Sequence, residues 1–234
     1  MRGKTLGNLL DQLRTEAKIS RTPAHNVAGR DEQIQMLQRK QEFFWEDFNW
    51  PHLEVVRNIA LAEGQRYYSP PSDVDIGRIL AVSVRNGSQW LPVDPGIQDG
   101  HYAAFDSDLD QRGDPAQRWQ LTESGIEIWP IPDTDYNSTT LEGRLRIRAI
   151  RNLSPFTAEE DTADLDDRLI VLHCAAEILA GKGDKSAQSK ADMAEATYAR
   201  LRAGLLPRSA IRMFGGRTDV RRPGSPPIAI YRAS

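Results

Sequence analysis

The chain has 234 residues, of which 39% are hydrophobic, and its formal net charge is -3. A dedicated nucleic-acid-binding domain is usually clearly basic, so this charge disfavours that class of protein. No apolar stretch reaches the roughly 20 residues that a membrane-spanning helix needs, and the single cysteine, Cys174, excludes a disulfide within the chain.

Two amphipathic helices are predicted near the start of the chain. The first covers about residues 4–18, where leucines recur at helical spacing, and a loop with Pro23 and Gly29 follows it. The second covers about residues 31–48 and ends before Pro51, because proline lacks the N–H that a helix needs. Its apolar stripe consists of Ile34, Leu37, Phe44, Trp45 and Phe48.

The middle of the chain has the alternating pattern of β-strands. Strand-like segments occupy residues 53–61, 78–87, 89–93, 118–132 and 143–151. One hairpin is predicted at Asn86-Gly87, because both residues tolerate the positive φ of a tight turn. A second hairpin is predicted with Gly125 in its turn.

The last predicted elements are two helices within residues 164–203, joined by a short linker with two glycines and Asp184. Such a linker indicates an antiparallel helical hairpin. Together the elements predict an α+β fold. It is a helical bundle, made of the N-terminal helices and the C-terminal hairpin, with an inserted antiparallel β subdomain and extended terminal arms.

Three segments are predicted along the chain. Residues 1–29 form an N-terminal helix and basic loop, residues 30–204 form the core, and residues 205–234 form an extended basic C-terminal arm. The core contains the helix at 31–48, the β region at 53–151 and the helical hairpin.

Charge is distributed unevenly along the sequence. Residues 159–167 contain six acids and no base, whereas from Gly204 onward six arginines and one aspartate give a net charge of +5. The two stretches either pair with copies or neighbours or stay solvated. The candidate contact residues of the basic arm are Arg208, Arg212, Phe214, Arg217, Arg221, Arg222, Ile228, Ile230 and Tyr231.

Motifs for catalysis are not found in the sequence, so we expect no enzyme activity, no metal and no cofactor. The four histidines are scattered. The segment FDSDLDQRGD matches only the start of a calcium-binding loop, because Gln111 and Gln117 occupy the positions that require glycine and glutamate. Cys174 and the tryptophans are expected to pack in the core or, for the tryptophans, at subunit interfaces.

Several motifs follow one another in an order that carries a family resemblance. A helix with an aromatic end runs into Trp-Pro in FFWEDFNWPHLEVVRNIAL, and Tyr-x-x-Pro and W-L-P-V segments follow. The most specific block is GDPAQRWQLTESGIEIWPIPD, and the paired helices with a Gly-Asp linker come next. Over about residues 30–205, the chain resembles the head-to-tail adaptor proteins of tailed bacteriophages, also called connectors or head-completion proteins, especially those of short-tailed phages.

The resemblance implies a structural protein at the neck of the virion, made in the host cytoplasm. It is expected to bind the portal protein and tail nozzle, tube or stopper proteins, to self-associate into a ring of twelve copies, and to contact no membrane. Genomic DNA is expected to pass loosely through the lumen, because tight DNA binding requires many basic contacts with phosphate. The C-terminal arm is expected to extend onto the portal or an adjacent copy.

Two alternatives remain open on the sequence alone. One is another neck or tail component, such as a stopper or tail-completion protein. The other is a carbohydrate-binding or hydrolytic tail protein, with Trp90, Trp119, Trp129 and the Asp106–Asp114 loop as its site. Mutation of Asp106 and Asp110 separates the last alternative from an adaptor.

Overall fold

A computed structural model describes residues 2–20 and 29–205 of the chain. These residues fall into two compact units. Within the described residues, the first unit consists of residues up to 56, residues 71–80 and residues 148–205, and the second consists of residues 57–70 and 81–147.

Five α-helices and seven β-strands are formed within the described ranges. The helices are α1 (Leu6–Glu16), α2 (Arg30–Asp47), α3 (Asp99–Ala104), α4 (Asp167–Gly181) and α5 (Ala187–Leu205). The strands are β1 (Glu54–Ala60), β2 (Tyr67–Tyr68), β3 (Val74–Asn86), β4 (Gln89–Pro95), β5 (Arg118–Thr122), β6 (Gly125–Trp129) and β7 (Arg144–Arg151). The predicted long helices and the longer strands are confirmed, whereas α3 was not predicted.

The seven strands form one mixed sheet in the order β1-β7-β3-β4-β5-β6-β2. Strands β4 and β5 are parallel, while the pairs β3–β4, β5–β6 and β2–β6 are antiparallel. The predicted fold class, a helical bundle with an inserted antiparallel β subdomain, is therefore wrong. A parallel pair needs a long crossover connection, here containing α3, and strand periodicity does not show which strands become neighbours.

Both predicted hairpins form, but their turns lie one residue or more from the predicted positions. Asn86 pairs with Gln89 inside the ladder, so the loop is Gly87-Ser88, and Gly87 has a φ of 53°. Gly125 is the first residue of β6 and pairs with Thr122. It has a φ of 120°, which favours glycine.

The first unit is built around α4, which contacts α1, α2 and α5. Most of its side chains are buried, because the helix is apolar on nearly all sides rather than along one stripe. The leucines of α1 are buried in the same core. The predicted amphipathic helix near the start of the chain therefore packs inside the first unit along its apolar stripe.

The turn between α4 and α5 has the hydrogen bonds of a Schellman motif. Gly183 N donates to Ala180 O at 3.0 Å and Asp184 N donates to Leu179 O at 2.9 Å. Gly183 has a φ of 67°, the left-handed conformation that this helix end requires. The predicted helical hairpin is confirmed, and Asp184 also accepts from Ser186 N at 2.8 Å, ahead of α5.

Candidate interaction surfaces

The candidate contact residues of the basic arm all lie outside the described residues. They are Arg208, Arg212, Phe214, Arg217, Arg221, Arg222, Ile228, Ile230 and Tyr231. Their assignment therefore stays a prediction, as does the division of the chain into N-terminal segment, core and arm.

The acidic segment at 159–167 is largely engaged within the first unit. Glu159 pairs with Arg30, and Asp164 pairs with Arg151. Asp161 accepts from the backbone N–H groups of Ala158 and Thr157, and these bonds lower the pKa of its carboxyl group. Asp166 caps α4 by accepting from two N–H groups of its first turn. Most of this negative charge thus stabilises the fold locally.

The same segment holds the start of the chain. Leu6 N donates to Asp161 O at 2.7 Å, and Thr5 forms an isolated antiparallel bridge with Thr162. Asp167 is 1% exposed and accepts from Lys4 N at 3.4 Å. Burial raises the pKa of the Asp167 carboxyl group, and the bond from Lys4 opposes that effect. The segment from Asp161 to Asp167 therefore holds the N-terminal end of α1 in place through these hydrogen bonds.

The Asp106–Asp114 loop uses its carboxylates in contacts within the second unit. Asp108 accepts from Arg66 Nη1 at 2.7 Å, and Asp110 accepts from Arg112 Nη2 at 2.6 Å. Asp106 accepts from Asp108 N at 2.9 Å and so caps a short 3-10 turn. In residues 2–20 and 29–205, no three acidic, histidine or cysteine side chains converge in a metal-binding arrangement.

The three tryptophans of the carbohydrate-site alternative do not share one surface. Trp129 is 5% exposed, and its Nε1 donates to Phe105 O at 2.9 Å. Trp119 pairs with Ile128, the residue next to Trp129, so Trp119 and Trp129 point to opposite faces of the sheet. Trp119 and Trp129 therefore do not form one stacking platform for a sugar. The hypothesis of a carbohydrate site built from these tryptophans is wrong, because it requires them on one surface.

A cleft of about 390 Å³ lies in the second unit, lined by Arg85, Asp114, Asp135, Asn137 and Glu142 among others. Two of its carboxylates already have partners, because Asp114 accepts from Thr134 Oγ1 at 2.8 Å and Asp135 accepts from Glu63 N at 2.9 Å. The cleft lining contains no histidine, cysteine or serine that would serve as a base or nucleophile.

Cys174 belongs to the core of the first unit, whereas His173 is half-buried and lines a surface cleft with Lys40 and Glu177. The rings of His173 and Phe44 lie 4.7 Å apart between centroids. Cys174 is fully buried, as predicted, and burial raises the pKa of its thiol to about 12. Cys174 therefore acts in packing.

Large apolar side chains are exposed in both units, and they are the surface feature that sequence reasoning missed. In the first unit they are Phe43, Val56, Ile76, Leu80 and Met193, and in the second Tyr67, Phe105, Leu109 and Leu121. Phe43 is 57% exposed and Leu109 is 72% exposed. A helical wheel of α2 places Phe43 off the apolar stripe, so its exposure was a detectable signal. Such side chains favour contact with other proteins.

The comparisons with known proteins agree with an assembly protein. A family model described as SU10 adaptor protein matches residues 4–226, which include nearly all of both described units. A search of curated proteins gave no match to the sequence. None of the helices in the described ranges is long and apolar enough to span a membrane. The chain therefore belongs to the SU10 adaptor protein family, a family of phage head–tail adaptors and hence of virion structural proteins.

Proposed function

We propose that this protein joins the portal ring of the phage head to the tail, acts without catalysis, and forms a ring through which the genome passes. The observation that carries the proposal is the family match over residues 4–226. An adaptor family implies contacts with other head and tail components of the particle. Our proposal is more specific than the family match: it assigns the protein to the neck, with the portal protein on one side and tail proteins on the other.

Self-association is supported by the exposed apolar side chains of the first unit. Phe43 on α2 is 57% exposed and Met193 on α5 is 40% exposed. Leaving such side chains in water is unfavourable, and burial between copies removes that cost. A closed ring of more than two copies uses two different surfaces of each copy, and a dodecamer matches the symmetry expected of the portal.

The basic arm from Gly204 onward is proposed to dock on the portal or on an adjacent copy. Its net charge of +5 suits an acidic partner surface, and its apolar end, Ile228–Tyr231, suits addition of a strand to a neighbouring sheet. Passage of DNA through the ring is expected to be loose, because the whole chain has a net charge of -3.

The test is binding of the purified protein to isolated portal rings of the parent phage, viewed by electron microscopy. The full chain is expected to form a ring stacked on the portal, and a chain ending at Leu205 is expected to lose most of that binding. A matched variant that replaces Ile228, Ile230 and Tyr231 with serine keeps every charge, so it separates the apolar end from the arginines. Absence of portal binding by the full chain contradicts the proposal and favours a stopper or tail-completion protein.

A further inference from the structure

The second unit carries an arginine-rich sheet face. Along β7 the side chains alternate, so Arg144 and Arg146 point away from the core while Leu145 and Ile147, both 0% exposed, point into it. We refer to Arg144 and Arg146, together with Arg85 of β3 and Trp90 of β4, as the arginine face.

Trp90 organises the arginine face. Arg85 and Trp90 are direct partners in the β3–β4 ladder, so their side chains share one side of the sheet. The guanidinium carbon of Arg146 lies 3.7 Å from the centroid of the Trp90 ring, and that of Arg85 lies 5.7 Å from it. Both cations therefore contact one indole. Arg144 is held separately, because its Nη2 donates to Tyr136 Oη at 2.8 Å.

The three arginines lack an ion-pair partner within the described ranges, although the carboxylates of Asp114, Asp135 and Glu142 line the same cleft as Arg85. Arg85, Arg144 and Arg146 form no ion pair there, and Nε of Arg85 and of Arg146 is buried without a hydrogen-bond partner. The nearby carboxylate of Glu142 accepts instead from Gly87 N at 3.3 Å. Like charges held together repel, and a bound anion removes the repulsion.

Three properties of the arginine face limit the kinds of anion that it would bind. Arg146 covers the Trp90 ring, so that ring is not free to stack on an unpaired base. None of the large exposed apolar side chains of the second unit belongs to the face, whereas tight peptide binding needs an apolar anchor. Neighbouring outward residues of a strand stand about 6.6 Å apart, a spacing that suits contact with successive backbone phosphates.

We propose that the arginine face binds the phosphate backbone of duplex DNA, without base specificity. The choice of DNA rests on the proposed function, in which the genome passes the protein. The contact is expected to be weak, because only three cations take part, and it is compatible with movement of DNA along the protein.

The test measures binding of a short duplex by the full chain as a function of salt. Each of the changes R85Q, R144Q and R146Q is expected to lower the steepness of log K against log salt by about 0.9, and the triple variant by about 2.7. The matched control is R148Q, two residues along β7, because Arg148 Nε already pairs with Glu54 at 2.9 Å. R148Q is expected to keep the wild-type slope.

A second variant distinguishes loss of positive charge from loss of the folded structure. R146K keeps the charge, so it is expected to keep the slope, whereas a variant that failed to fold would lose binding whatever its charge. Chemical modification of arginine, mapped by mass spectrometry, is expected to show DNA protection of Arg85, Arg144 and Arg146 but not of Arg148.

Three results contradict the inference. They are equal slopes for R146Q and R148Q, protection confined to the arginines after Gly204, and competition by polyglutamate as strong as that by duplex DNA. The last result assigns the face to an acidic protein segment. None of these assays contains the portal, so failure of portal binding leaves the inference standing, and failure of DNA binding leaves the proposed function standing.

Discussion

Arg66 Nε donates a 2.7 Å hydrogen bond to Oε1 of Glu127, whose side chain is 3% exposed. Tyr102 Oη donates to the same oxygen at 2.8 Å, so a carboxylate beneath α3 has two donors. A buried charge is tolerated only with such partners. This ion pair and hydrogen bond connect β6 to α3 and to the segment before β2.

Replacement of Arg66 by methionine is expected to destabilise the protein by about 3 kcal/mol, because it leaves the buried carboxylate without its cation. The measurement is the free energy of unfolding in urea. The matched control is R39M, since Arg39 pairs with Glu177 on the surface, and its cost is expected to stay below about 1 kcal/mol. Equal unfolding midpoints for R66M and R39M contradict a buried Glu127.

Gly125 is expected to tolerate no side chain. A Cβ there would lie 2.6 Å from the backbone oxygen of Tyr68, and the φ of 120° is unfavourable for other residues. G125A is therefore expected to lower the unfolding free energy by about 3 kcal/mol. G181A, at a helical glycine with open space around it, is expected to be neutral or to stabilise by up to about 1 kcal/mol. Thermal unfolding that ranked the two variants in the opposite order contradicts the β5–β6 turn geometry.

His173 is expected to make the stability depend on pH. Burial lowers the pKa of its imidazole, so the unfolded chain binds more protons than the folded chain once the pH falls below the ordinary value of 6.5. Stability is therefore lost as the pH falls from 6.5 toward the lowered pKa. H173F is expected to reduce that loss, measured as urea midpoints across this pH range. Burial lowers the pKa of His52 as well, so part of the loss is expected to remain.

Calcium is expected to leave the melting temperature unchanged. Asp110 accepts from Arg112, and Asp106 caps a turn, so both carboxylates already have donors within the loop. D110N is expected to change stability only slightly, because this ion pair is exposed. A calcium-dependent rise in the melting temperature that D110N abolishes contradicts this account and supports the hydrolytic or calcium-binding alternative.

The sequence determined the local elements of this protein. Leucine spacing located α1, Pro51 marked the end of α2, and alternation located β7, because each of these patterns acts over a few residues. The motif order also indicated the phage adaptor family, since it reflects the linear arrangement of segments.

Only the tertiary structure decided which segments meet. The parallel β4–β5 pair, the packing of α1 against α4 and the stacking of Arg146 on Trp90 join residues that are distant in the chain. Periodicity gives the face of a strand or helix but not its partner, because pairing depends on contacts with remote segments. The predicted bundle with an inserted subdomain failed for this reason, although most of its elements were correct.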